Sequence, residues 1–237
     1  MTPRRRLGPL LALLLAALPF LAACGADAAP RGPNVVVIVI DTLRADRLPF
    51  HGGPAANAPF LAQLAEEGLV FENARATSSW TAPATASIFT GLYPDQHGVT
   101  TGLKVHMRLS EGAADPQAVE LNRIPEALET IPTFLSDLGY RTFAVTDNPN
   151  ISERMGFDRG FDRCACLPPV RKPRWGGDSA AVNAKLMEWR REILSGGRWF
   201  LYVHYMDPHG PYTRHEQWLA PDAPPPPEDN FDDLAAY

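Results

Sequence analysis

Cysteine is scarce in this chain: its 237 residues hold three, Cys24, Cys164 and Cys166. That scarcity excludes a disulfide-built scaffold. With no His or further Cys pair at zinc-site spacing, it also excludes a cysteine-based zinc module. The Cys164-Ala165-Cys166 spacing is tight for an easy disulfide, so the pair is assigned no chemistry and its pairing stays open. Positive charge is short as well. The formal net charge is −5, nothing resembles a basic stripe, and nucleic acid is not an expected partner. Long apolar runs are also missing: the run from Leu10 to Leu21 is too short to span a bilayer comfortably. No internal repeat is visible, which sets solenoids and propellers aside.

What is present begins with an export signal. Arg4, Arg5 and Arg6 precede the apolar run, which ends in Leu21-Ala22-Ala23-Cys24-Gly25 in the manner of a bacterial lipoprotein lipobox. Cleavage before Cys24 leaves that thiol as the lipid-attachment site, the place for a palmitate-type chain. An ordinary secretory signal with an incidental Cys is the alternative. Gly25 rather than Asp follows, so the usual inner-membrane retention signal is absent. The expectation is an exported protein, lipid-anchored at the bacterial cell envelope on the periplasmic or outer-membrane face. Loss of the three arginines takes the formal charge from −5 to −8. Residues 1–23 thus read as signal peptide and 24–33 as a flexible Pro/Ala/Gly tether. Residues 34–237 read as one domain, long enough for a sizeable core.

Within that domain Asn34 to Ile40 is an unbroken β-branched run, which predicts a strand buried on both faces of a parallel sheet. It ends in Asp41, where open α/β sheets place their ligands. Phe60, Leu61, Leu64 and Ala65 have helical spacing, with Gly68 as the stop. Val70–Ala74 reads as a short extended piece. Ala76 to Gly91 reads as a loop feeding a helix, with Pro83 near its first position and Thr81 just before the first turn, in the positive field of the helix N-terminus. Leu92–Val99 is a turn-rich connection, and Arg108–Asn122 reads as polar and irregular. Pro132–Leu138 is an amphipathic helix, and Arg141–Thr146 a second strand. Gly156–Asp162 is an irregular Gly/aromatic segment. Ser179–Leu194 is a helix carried by Val182, Leu186, Trp189 and Ile193, and Trp199–Tyr205 a third buried strand. Pro221–Pro227 is a solvated loop in the polyproline conformation. Strands alternating with helices argue for an α/β fold: a parallel sheet with helices on both faces.

Three polar side chains stand at element ends: Asp41, Thr81 and His209. An Asp suits a hard divalent cation, a nearby cation activates a hydroxyl such as Thr81, and a His donates to an anionic ester or protonates a leaving oxygen. Each has a plainer reading, as a turn cap (Asp41), a helix N-cap hydroxyl (Thr81) or a turn residue (His209). Together they point to hydrolysis or transfer of a sulfate or phosphate ester.

The run Pro33-Asn34-Val35-Val36-Val37-Ile38-Val39-Ile40-Asp41-Thr42-Leu43-Arg44-Ala45-Asp46 resembles the opening of the sulfatase family in the alkaline phosphatase superfamily. So do Ser79–Pro94, His97-Gly98-Val99, Leu138–Thr142, the Gly-Phe-Asp pairs within 156–162, and His204–Tyr212, in family order over residues 33–212. The resemblance implies a three-layer α/β/α sandwich around a mostly parallel, alkaline phosphatase-like sheet. It also implies a divalent metal (Ca, Mg, Mn or Zn) at the sheet's carboxyl edge and an anionic ester substrate. On it, Asp41 and Thr81 face the metal, Thr81 stands at the nucleophile position, and His209 contacts the substrate or its leaving oxygen.

The departures carry as much information. Sulfatases proper place Cys or Ser, converted to formylglycine, before x-Pro-Ser-Arg; here Thr81-Ala82-Pro83-Ala84-Thr85 offers neither the convertible residue nor the Arg. A direct Thr nucleophile is the habit of phosphoglycerol-transferase and phosphoesterase relatives. The paired Asp after the first strand is Asp41-Thr42, and the Lys and His after the second are replaced within Thr146–Asn150, where Asn148 stays outside the expected site. The family's later Asp-His-Gly or Asp-Asn ligands do not occur before Tyr237. The expected identity is therefore the N-terminal, C-terminally truncated portion of a sulfatase-like hydrolase or transferase. The alternatives are a non-catalytic anion- or glycan-binding lipoprotein of that fold, or an inactive fragment.

Overall fold

The computed structural model describes residues 32–167, 170–172 and 174–209. The signal segment with Cys24, all but the last residues of the tether, Pro221–Pro227 and the tail to Tyr237 lie outside the described residues. No helix among the described residues is long and apolar enough to cross a membrane.

Six strands are present among the described residues: β1 (Val35–Ile40), β2 (Arg141–Thr146), β3 (Arg163–Cys166), β4 (Val170–Lys172), β5 (Arg174–Gly176) and β6 (Trp199–Tyr205). Four form one wholly parallel sheet in the order β1-β6-β2-β3, while β4 and β5 pair as a small antiparallel ribbon. The helices are α1 (Pro59–Glu67), α2 (Thr81–Thr90), α3 (Pro94–His97), α4 (Leu103–Gly112), α5 (Ile131–Asp137) and α6 (Ser179–Ile193).

Alternation along the central strands divides the core in two. Ala144, Phe200 and Tyr202 face one side, where Ala82, Ala86 and Phe89 of α2 pack with Met155 and Phe157. Phe143, Val145 and Val203 face the other, against Val182, Trp189 and Ile193 of α6. The result is an α/β/α sandwich, held by aromatic contacts such as Phe89 edge-on to Tyr202 at 4.9 Å. Arg141, at the start of β2, donates to the Glu192 and Ile193 carbonyls at 2.6 and 2.8 Å and so caps the C-terminal end of α6. Gly160 has φ +85°, and a Cβ there would run into the Thr133 amide of α5, so glycine alone lets this loop pass the helix.

The structure corrects several expectations. β1 is not buried on both faces: Val36 is 46% and Ile38 57% exposed. β1 is the outer strand beside β6, and α6 covers β2 and β6 without reaching it. Val70–Ala74 forms no strand, and part of the supposedly irregular Arg108–Asn122 belongs to α4. Thr81 opens α2 instead of preceding it, which moves Pro83 to the third helical position, still within the turn whose N–H groups have no helical partner. Leu92–Val99 includes the single-turn α3, and β3 follows the Gly/aromatic segment.

Candidate active site

All four sheet strands run the same way, so their carboxyl ends share one edge. Register there is specific: His204 of β6 sits opposite Val39 of β1 on one side and Thr146 of β2 on the other. The residues two further along those neighbours, Asp41 and Asn148, therefore flank the end of β6. The Asp41 amide prolongs the ladder by one step, donating to the Tyr205 carbonyl at 2.8 Å.

Asp41 Oδ2 gathers three donors. The Thr81 hydroxyl donates to it at 3.0 Å, Asn148 Nδ2 at 2.8 Å and His204 Nε2 at 3.3 Å. Burial pushes the Asp41 carboxyl up. The hydrogen bond and charge of His204, the Thr81 bond and the charge of His209 outweigh it and hold the group below the ordinary aspartate value. The acid and the hydroxyl that the sequence singled out thus touch across forty residues, and His209 is near enough for its charge to act on Asp41. His209 itself follows β6, its amide donating to the Met206 carbonyl at 2.8 Å.

Behind His204 lies a directional chain. The Tyr202 hydroxyl lies 2.8 Å from His204 Nδ1, and buried Thr85, one turn after Thr81 on α2, is near enough to act on it. In the neutral imidazole the phenol donates to Nδ1 and the ring proton stays on Nε2, pointing at Asp41; the protonated ring supplies the charge that acts on Asp41. Tyr202 and His204 are both fully buried, and burial raises the phenol far above its usual range, so it acts as a neutral donor. A second acidic group lies beside this chain. Asp147 is 1% exposed, and its Oδ2 accepts the Asp178 amide at 2.7 Å. Its Oδ1 has no partner among the described residues. Burial pushes its carboxyl up, the Asp178 amide opposes this, and the charge of Asp207 adds to the rise. Asp207 Oδ2 accepts the Ser179 amide at 3.0 Å, so Asp147, Asp178 and Asp207 gather at the N-terminus of α6.

Thr42, where the resemblance has a second carboxylate, is a β-branched residue at φ +58°, a conformation that costs about 1–3 kcal/mol and persists only where the surroundings impose it. His97 is not part of the site. It is fully buried near α2, takes the Val99 amide on Nδ1 at 3.0 Å, and lies 3.1 Å from Ser87 Oγ through Nε2. Desolvation holds its imidazole below the ordinary value, as expected of a core histidine.

A family model described as sulfatase matches residues 33–236. The chain belongs to the sulfatase family. This sulfatase-family chain is 32% identical over 116 residues to human N-acetylgalactosamine-6-sulfatase, a match covering 49% of this chain and 21% of the human enzyme. It is 27% identical over 237 residues to the multifunctional alkaline phosphatase superfamily protein PehA of Trinickia caryophylli, covering 81% of this chain and 46% of PehA. Its fold matches the phosphonate monoester hydrolase of Agrobacterium radiobacter with a TM-score of 0.59 at 19% identity, over 82% of this chain and 45% of that one. The chain spans less than half the length of these relatives. Its fold is the alkaline phosphatase-like α/β fold of these neighbours.

For the divalent metal that the family implies, Asp41 and Thr81 are hard oxygen donors in hydrogen-bond contact at the carboxyl edge, right in kind. In number they fall short. No group of three or more His, Cys, Asp and Glu side chains able to hold a metal occurs among the described residues, and Asn148 presents its amide nitrogen, not its oxygen, to Asp41.

The residues that the motifs did not assign to the site are Asn148, His204, Tyr202 and Thr85. One signal was available: His204 is the single titratable imidazole inside the apolar run Trp199–Tyr205, near the strand's carboxyl end.

Proposed function

We propose that the protein hydrolyses or transfers a sulfuric or phosphoric ester outside the cytoplasm, with Thr81 as the attacking hydroxyl. The observation that carries this reading is the 3.0 Å hydrogen bond from Thr81 to Asp41, at the carboxyl edge of the sheet and the first turn of α2. A hydroxyl held by its proton presents a lone pair outward, and the positive end of the helix favours an anionic ester in front of it. Asp41 fixes the hydroxyl's direction. Asn148 and His204 share the other demands on the same oxygen, so Asp41 is oriented before substrate arrives.

In the proposed reaction Thr81 Oγ forms a bond to sulfur or phosphorus as the bond to the alcohol oxygen breaks. The Thr81 proton passes to Asp41 or to water, and His209 gives a proton to the departing oxygen. Water, or a second alcohol in the transfer case, then displaces the Thr81 ester and restores the hydroxyl. Asp41 and Thr81 would face a divalent cation (Ca, Mg, Mn or Zn), which when bound supplies charge neutralisation at the ester oxygens.

Threonine cannot become formylglycine by the family's Cys or Ser route, and this favours phosphorus esters over sulfate esters. The test uses the complete protein with aryl phosphate and aryl sulfate esters and each added cation. Thr81→Ala is expected to lower turnover by at least about a thousandfold, with partial recovery in Thr81→Ser. Unchanged turnover in Thr81→Ala would refute the nucleophile.

Export and anchoring are proposed from Leu21-Ala22-Ala23-Cys24. Incorporation of labelled palmitate, abolished by Cys24→Ala, is the expected result; label retained in that variant refutes the anchor.

A further inference from the structure

Ester chemistry at Asp41 and Thr81 makes no use of the end of β3. Cys164 and Cys166 stand one residue apart on that extended strand, so both side chains leave the same face. Ala165 between them turns the other way, into the core beside α6. Both thiols are free and exposed. The Cys166 thiol donates to the Ile151 carbonyl at 3.0 Å. With Ser152, Glu153, Arg154 and Asp158 they line an open depression of about 510 Å3. Because β3 is the outer strand of the sheet beyond β2, the depression lies on the opposite flank from β1.

The geometry disfavours a disulfide. Residues two apart on a strand have Cα atoms about 6.6 Å apart, near the upper limit for an unstrained bridge. It also disfavours the common biological cations. No third His, Cys, Asp or Glu completes a cluster among the described residues, so tetrahedral zinc lacks ligands and hard cations lack oxygens. Two thiols leaving one face of the strand, with no third ligand among the described residues, suit a soft ion content with two ligands. The Ile151 carbonyl holds the Cys166 sulfur from behind, and the charges of Glu153 and Asp158, which line the same depression, act against both thiolates, so a bound cation and not the protein offsets the bis-thiolate charge.

We propose that Cys164 and Cys166 form a two-thiolate site for a soft monovalent cation of the Cu(I) class, separate from the Asp41–Thr81 site. On binding, each thiol loses its proton to solvent and each sulfur forms one bond to the ion. The bound unit carries one negative charge, and no electron moves.

The test is an anaerobic titration of the full chain carrying Cys24→Ser, reduced with a non-thiol reductant, with Cu(I) in competition with a chromophoric Cu(I) chelator. One Cu(I) per chain is expected, with near-ultraviolet thiolate-to-copper absorption saturating at one equivalent. Cys164→Ser and Cys166→Ser should each weaken binding at least a hundredfold. A single variant that keeps the parent affinity, or a chelator that strips the ion equally from all three proteins, overturns the proposal. So does Zn(II) binding at one equivalent that needs both cysteines. As a measurement independent of the variants, one equivalent of Ag(I) should protect both thiols from iodoacetamide; absence of protection overturns the site.

Discussion

Replacing Asp41 with Ala removes the acceptor at which Thr81, Asn148 and His204 converge. Two of those donors, Asn148 and His204, are 2% and 0% exposed, so water cannot replace the lost partner. A buried donor left unsatisfied costs about 1–3 kcal/mol, which makes the expected loss about 2–6 kcal/mol. Thr81 is only half-buried, its hydroxyl re-bonds to water, and it adds nothing to the sum. Against a total stability of about 5–15 kcal/mol, this is enough to unfold a marginal protein. Asp41→Asn keeps an acceptor oxygen but loses the charge, a change of about 1 kcal/mol per donor. Its loss should therefore be smaller, about 2 kcal/mol.

Urea unfolding in chelator-treated buffer at pH 7 measures both variants without any contribution from metal. The pH dependence gives a further check. Asp41 in the fold lies below its ordinary value of 3.8. Its stabilising contribution is therefore full above that value and is lost as pH falls through the lower, folded one. The gap between parent and Asp41→Asn should stay level from pH 7 to about 5 and close below about 4. A loss under about 1 kcal/mol for Asp41→Ala, or a gap that stays level down to the acid transition, would refute the convergence.

Asp147 has the opposite sign: burial raises its folded value above 3.8, so its cost appears as pH rises from 3.8 through that folded value. Asp147→Asn should match or exceed the parent by about 1 kcal/mol at pH 7 in thermal melts, and a lower melting temperature would contradict the account. Tyr202→Phe leaves His204 Nδ1 buried without its partner, a loss of about 1–3 kcal/mol. Nitrogen NMR should then show His204 no longer held in the Nε2–H form, whereas an unchanged tautomer would break the proposed chain. Gly160→Ala combines a left-handed conformation with overlap on the α5 backbone, for about 2–4 kcal/mol in denaturant unfolding; a neutral result would mean the loop moves freely away from α5.

Much of the fold was written locally. The β-branched run of β1, the Thr-Phe-Ala-Val centre of β2 and the helical spacing of α6 each name their element within a few residues, because torsional preference and burial period act over a few residues. The polar α4 and the short β3 carried no such period and were not legible. Asp41 and Thr81 could be picked out because each sits at an element's end, where backbone chemistry repeats. Asn148 and His204 were not assigned to the site: Asn148 stood only as a polar substitute in a turn-rich loop and His204 inside an apolar strand, 107 and 163 residues from Asp41, and nothing local joins either to that acid. What joins them is the insertion of β6 between β1 and β2, a neighbour order settled by how distant segments pack on one sheet and not by any local pattern. The same order leaves Val36 and Ile38 open on an outer strand, although their sequence reads as a buried one. The sequence alone determined the long strands β1, β2 and β6 and the helix α6; the tertiary structure decided which side chains meet at the edge, because contact across the sheet depends on strand order and register.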